Sequence, residues 1–177
     1  MSSHHRIAKI VSGGQTGADR GALDAAIERG VRHGGWCPKG RRAEDGNIPD
    51  KYELVEASSA NYLVRTEMNV IDSHCTVIFT FGKPTGGSTK TISFADEHRR
   101  PCLSVDLAAM TDEQAANEVL SWLSPGGLVS PDVAVPQTNP VVNIAGSRES
   151  KAPGIQNRVK QVLLAVLNPQ TYQQGPE

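Results

Sequence analysis

Three times in this chain an apolar run enters a turn rich in glycine, serine and threonine and leaves it as a helix. Ile7 to Val11 leads into Ser12-Gly13-Gly14-Gln15-Thr16-Gly17. Ala18 to Arg29 follows, with Ala18, Ala22, Leu23, Ala26 and Ile27 on one helical face. Cys75 to Phe81 is almost continuously apolar and β-branched, as a central parallel strand would be. It enters Gly82-Lys83-Pro84-Thr85-Gly86-Gly87-Ser88-Thr89-Lys90, and the spacing predicts a helix from Thr89 to His98. Val141 to Ala145 enters Gly146-Ser147-Arg148-Glu149-Ser150-Lys151. The helix after it carries Ile155, Val159, Val162, Leu163, Val166 and Leu167 on one face and stops at Pro169. This alternation specifies an α/β fold: a Rossmann-like three-layer sandwich with a mostly parallel central sheet. Strand-to-helix turns of such a sheet share the carboxyl edge of the strands, where ligands bind.

The intervening chain fits the same plan. A short strand is expected near His33 to Cys37, and a polar loop over Pro38 to Gly46 with Lys39, Arg41 and Arg42 together. Tyr52 to Val55 reads as an edge strand, Tyr62 to Ser73 as a helix, and Pro101 to Leu107 as a strand. Thr111 and Gln114 have capping-box spacing and open a helix through Leu123. Ser130 to Pro140 is expected to be irregular. A chain of 177 residues suits one domain, placed at 7–168, between a flexible N-terminus (1–6) and a flexible tail (169–177). His4 and His5 are assigned no metal role.

A glycine turn running into a helix brings backbone N–H groups and a positive dipole end to one spot, which favours an anion such as phosphate. The first turn is G-G-x-x-G and not the dinucleotide pattern G-x-G-x-x-G. The second has P-loop spacing from Gly82 to Gly87, but Ser88 stands where the lysine belongs. Anion binding by Gly86, Gly87, Ser88 and Thr89, with Lys90 close by, is supported; NTP hydrolysis is not. No zinc motif or nucleophile-elbow motif is present. Asp19 and Glu67 are candidate acids or bases, and Asp19 equally suits stabilisation of a helix dipole. The formal net charge of −1 offers no basic field for nucleic acid, and no run is apolar enough for a membrane. Three cysteines without C-x-x-C spacing argue against a disulfide framework; Cys75 and Cys102 read as reduced core residues, with the cytoplasm as the expected compartment.

Six motifs in order resemble the molybdenum cofactor carrier family. They are Gly13-Gly14-Gln15-Thr16-Gly17-Ala18-Asp19-Arg20, Gly34-Gly35-Trp36-Cys37-Pro38-Lys39-Gly40, Ala43-Glu44-Asp45-Gly46, Arg65-Thr66-Glu67-Met68-Asn69-Val70, Thr85-Gly86-Gly87-Ser88-Thr89 and Asn143 through Lys151. That family resembles a branch of the Rossmann-like superfamily of lysine-decarboxylase-like phosphoribohydrolases. The resemblance implies a homo-oligomeric carrier, dimer or tetramer, that binds the molybdenum cofactor (molybdopterin) and protects it, with molybdoenzymes as recipients. It implies that Gly13, Gly14, Gln15, Thr16 and Gly17, then Gly86, Gly87, Ser88, Thr89 and Lys90, then Ser147, Arg148, Ser150 and Lys151, hold the anionic ends, with Lys39 nearby. Molybdate or phosphate would be partial occupants, and a flat pterin would suit a slot beside Trp36. The phosphoribohydrolases resemble P-G-G-x-G-T-x-x-E at the second turn; here the glycines survive and the glutamate does not. That favours binding without turnover. The alternatives are a nucleotide- or ribosyl-phosphate-binding enzyme using Asp19 or Glu67, and a nucleotide-sensing module.

Overall fold

This computed structural model describes residues 6–128, 130, 134–136 and 138–168. The expected tail, Pro169, His4 and His5 lie outside the described residues, as does part of the 130–140 connection. β1 (Lys9–Val11) leads through the first glycine turn into α1 (Ala18–Arg29), which Gly30 ends in the left-handed conformation expected of a C-cap. The expected strand at 33–37 is split in two. Gly35 (φ 131°) bends the chain between β2 (Arg32–Gly34) and β3 (Trp36–Cys37), and a Cβ there would lie 2.3 Å from the Ser12 carbonyl oxygen. The polar loop contains a hairpin, β4 (Arg42–Ala43) and β5 (Gly46–Asn47). The expected edge strand begins later, as β6 (Val55–Glu56), and pairs with β3 in a small sheet of its own.

α2 (Tyr62–Ile71) is capped by the Asn61 side chain. β7 (Cys75–Thr80) is buried at every position, as its apolar run requires. α3 (Gly87–Glu97) starts two residues earlier than its side-chain spacing suggests. β8 (Cys102–Asp106) follows, and then α4 (Asp112–Trp122) with the expected Thr111–Gln114 capping box. β9 (Val141–Gly146) and α5 (Ile155–Val166) complete the chain.

The main sheet has the order β2-β1-β9-β7-β8, with every pairing parallel. The last strand therefore sits in the middle, between β1 and β7. Started from β9, the chain would have the strand order 3-2-1-4-5, five of the six strands of a doubly wound dinucleotide-binding fold. The reversal of strand order then falls between β9 and β7, where such sheets bind ligands.

α1, α4 and α5 pack together on one face of the sheet, and α2 and α3 pack together on the other. The first face holds the larger core, with Ala18, Ala22, Ala25 and Ala26 of α1 against Ile155, Val159, Val162 and Leu163 of α5. Gly21 lets the two helices approach closely, since a Cβ there would lie 2.3 Å from the Gln156 carbonyl oxygen. A second cluster, Leu23, Cys37, Ile48, Tyr52 and Leu54, fixes the 38–54 loop onto α1. Cys37, Cys75 and Cys102 are free thiols, and burial pushes Cys75 and Cys102 up to about 12, so both are inert at neutral pH; Cys75 lies in the core, while Cys102 is half-buried.

Candidate functional site

A cavity of about 430 Å³ opens at the carboxyl edge of β9 and β7. Each glycine turn contributes to it: Gln15 and Asp19 from the first, Thr85 to Ser88 from the second, Ala145 to Arg148 and Lys151 from the third. Arg65 and Thr66 of α2 and Thr91 of α3 complete the wall. Its size falls in the ordinary range of roughly 300–1,000 Å³ for small-ligand sites.

The three helix N-termini are not equivalent. At α1 the amides leading into the helix are taken by the protein: Gln15 N–H donates to Asp19 Oδ2 (3.2 Å), Gly17 N–H to Gln156 Oε1 (3.2 Å) and Ala18 N–H to the Ser147 carbonyl (3.0 Å). At α5 the Glu149 carboxylate accepts from Gly154 N–H and Gln156 N–H, at 2.5 and 3.0 Å. α3 begins without a side-chain acceptor and with open space around its first residues. Its N-cap is Gly86 (φ 52°), with no side-chain cap. No acceptor among the described residues meets the amides of Gly86, Gly87 or Thr89. A Cβ at Gly86 or Gly87 would meet nothing within 4 Å.

Two buried side-chain donors in the wall also lack partners among the described residues: Gln15 Nε2 and Arg65 Nε. Gln15 Oε1 accepts from Thr16 N–H and Glu44 N–H, which fixes the amide and assigns Nε2 as the free group. Gln15 is 6% exposed. The Arg65 guanidinium lies over Gly13, where a Cβ would sit 1.8 Å from Nη1, and donates to Asp19 Oδ2 at 3.4 Å. Orphaned buried donors are costly. With Arg65, Arg148 and Lys151 facing a single carboxylate, Asp19, the cavity suits an oxygen-rich anion.

The family model of the circularly permutated YpsA SLOG family matches residues 10–167. The chain belongs to this family. The permutation in the family's name is visible in the sheet, where the terminal β9 holds the central position. A crystal structure at 1.45 Å resolution of a protein from Syntrophus aciditrophicus SB, named "Putative molybdenum carrier protein", is 41% identical. The similarity covers 93% of this chain and 98% of that one, with a TM-score of 0.81. The motif resemblance to molybdenum carriers is thus matched by a solved structure. No curated protein matches the chain.

Of the residues singled out in the sequence, Gln15, Gly86, Gly87, Ser88, Ser147, Arg148 and Lys151 line the cavity. Gly14 instead packs under Leu54 and Ile48, and Gly17 against the backbone of Ser147 to Glu149. Thr16 and Ser150 both donate to the Glu44 carboxylate. Thr89 and Lys90 are exposed on the first turn of α3, outside the wall, although the Thr89 amide is unspent. Lys39 is exposed and away from the cavity, and Arg41 is spent on the carbonyls of Ile48, Pro49, Tyr52 and Leu54. Trp36 also lies outside, with Nε1 donating to Asp72, so a flat ring in the cavity has no aromatic neighbour. Glu67 pairs with His98 Nε2 at 2.8 Å instead of entering the wall. Arg65 opens the Arg65–Val70 motif but is given no site role by the sequence; it lies one turn before Asn69 on α2.

The polar loop does fold over the first turn, but through its acids. Glu44 accepts from Thr16 Oγ1, Ser150 N–H (3.1 Å) and Ser150 Oγ (2.5 Å), while Asp45 makes a two-pronged pair with Arg20 at 2.5 and 2.7 Å. Burial alone would raise Glu44, yet the bonds from Ser150 and Thr16 and the nearby Arg148 outweigh it and hold the carboxyl below its usual 4.5. Glu44→Gln is expected to cost about 1–3 kcal/mol in urea unfolding at pH 7. Glu44's contribution is present above the unfolded carboxylate value and lost as pH falls through the lower folded value. The difference between wild type and variant should therefore narrow below about pH 4.5.

Asp19 behaves oppositely. Burial raises its carboxyl above 3.8, and Arg65 with the Gln15 and Gly13 amides offsets this only in part. The folded protein holds that proton at pH values where the unfolded chain has released it. Stability from this group falls as pH rises from 3.8 through the folded value. Ligand-free Asp19→Asn is expected to melt higher than wild type at neutral pH, with the gap closing toward pH 4; thermal scans across pH check this.

Proposed function

We propose that this protein is a molybdenum cofactor carrier, holding the cofactor's anionic groups in the cavity between β7 and β9. One observation carries the reading: Gln15 and Arg65, whose buried Nε2 and Nε lack partners among the described residues, line the same cavity as the uncapped start of α3. A terminal phosphate or molybdenum oxo group would accept from the α3 amides and the Arg65 guanidinium. Arg65 and Gln15 would hold the anion, with the Gly86, Gly87 and Thr89 amides and Ser88 beside them. Arg148 and Lys151 would balance the remaining charge. The motif resemblance and the likeness to the Syntrophus protein support molybdenum as the cargo. A homo-oligomer handing the cofactor to molybdoenzymes fits the same reading.

Titration calorimetry with molybdenum cofactor, molybdate and nucleoside monophosphates tests it. The expected result is tightest binding of the cofactor and measurable binding of molybdate. Nucleotides binding as tightly as the cofactor would refute it.

Asp19 favours a second reading, an enzyme acting on a nucleotide or ribosyl phosphate, because a buried acid in a ligand cavity is a candidate proton carrier. Turnover of a nucleotide panel by wild type, lost in Asp19→Asn with binding retained, would establish it.

A further inference from the structure

We infer that Asp19 selects a ligand carrying a 2-amino-pyrimidinone edge, the paired N–H face that a pterin shares with guanine, while other residues of the same cavity take the oxyanion. This rests on the cavity being the cofactor site. Asp19 is the one carboxylate in a wall whose other polar groups are donors, cations, hydroxyls and the unspent amides of α3. A carboxylate repels oxyanions at short range, and Asp19 stands in the cavity wall as well as pairing with Arg65. Yet Asp19 is 4% exposed and kept there against the cost of burying its charge.

The protein does not exhaust its bonding capacity. Gln15 N–H at 3.2 Å and Arg65 Nη1 at 3.4 Å both fall on Oδ2, and both are at the long end for hydrogen bonds. The Gly13 amide also acts on the carboxylate, whose two oxygens offer about four acceptor sites, so capacity remains for a ligand. An ionised carboxyl only accepts, so its complement is a donor group. No aromatic side chain lines the cavity, so a flat ring is chosen by its edge and not by stacking. Gly86 and Gly87 leave open space beside α3, with nothing within 4 Å of either Cβ position. A ligand with an anionic tail and an N–H edge uses both kinds of wall; molybdate uses one.

The test is calorimetry on the full chain with four probes: molybdate, ribose 5-phosphate, a pterin bearing a side-chain phosphate, and the lumazine counterpart in which oxygen replaces the 2-amino group. Wild type is expected to bind the pterin about tenfold to a hundredfold tighter than the lumazine, as for one charge-assisted hydrogen bond. In Asp19→Asn the gap should close, while molybdate binds as well as before or better. Equal binding of pterin and lumazine by wild type, with molybdate still bound, overturns the role of Asp19 and leaves the carrier reading standing. So does a preference that survives in Asp19→Asn. Ribose 5-phosphate binding as tightly as the pterin overturns both. Failure of all four probes overturns both. The wild-type comparison decides the matter even if the variant does not fold.

Discussion

Arg65→Ala is expected to weaken molybdate and phosphate binding by about a hundredfold or more. The guanidinium is the cation most deeply set in the cavity wall, its side chain 13% exposed, with Nε unpaired and one arm on Asp19. Truncating one partner of a buried, hydrogen-bonded charge pair costs roughly 2–5 kcal/mol, and each 1.4 kcal/mol is a factor of ten in affinity. Arg65→Lys keeps the charge and loses the planar fork, so it should recover only part of the loss. Calorimetry with molybdate measures both variants; affinity unchanged in Arg65→Ala would remove Arg65 from the site. The alanine variant also strips Asp19 of its counter-charge, so its carboxyl should rise further and the protein should lose stability at neutral pH.

Gly17→Ala is expected to destabilise the fold by about 3 kcal/mol or more, a large share of the roughly 5–15 kcal/mol that holds a domain together. Gly17 has φ 81°, and a Cβ there would lie 2.3 Å from the Ser147 carbonyl oxygen and 2.7 Å from the Glu149 nitrogen. Those atoms are backbone and cannot swing aside. The backbone at φ 81°, ψ −130°, a region almost confined to glycine, alone adds about 1–3 kcal/mol for a residue with a Cβ. Gly87→Ala makes the contrast. It needs no positive φ and its Cβ meets nothing within 4 Å, so urea unfolding should change by less than about 0.5 kcal/mol. The new methyl group stands among the bare amides of α3, however, and molybdate affinity should fall. Equal effects of the two substitutions on stability would mean that the first glycine turn is not backbone-packed.

The glycine turns show how far a one-dimensional reading reaches. All three lie at the edge where parallel-sheet logic puts them, and residues from each reach one cavity. What the amides there do could not be read from composition. The first turn has the stronger glycine signature, yet its glycines serve contacts inside the protein: Gly13 beneath Arg65, Gly14 beneath Leu54, Gly17 against the third turn. Glu149 sits five residues before Gly154, and nothing in that spacing announces that its carboxylate caps α5. Likewise Lys39, Arg41 and Arg42 drew attention as a cationic cluster, whereas Glu44 and Asp45 of the same loop hold it to the first turn.

The sequence by itself determined the βα units, the buried central strand at Cys75–Thr80, the capping box at Thr111 and the family, because these depend on local periodicity, short-range hydrogen bonding and ordered motifs. Tertiary structure alone decided that the last strand enters the middle of the sheet, that α3 keeps its N-terminal amides unspent, and that Arg65 and Asp19 meet across 46 residues. The physical reason is that a donor's availability depends on which distant acceptors the fold brings within about 3 Å, and local spacing carries no record of that distance.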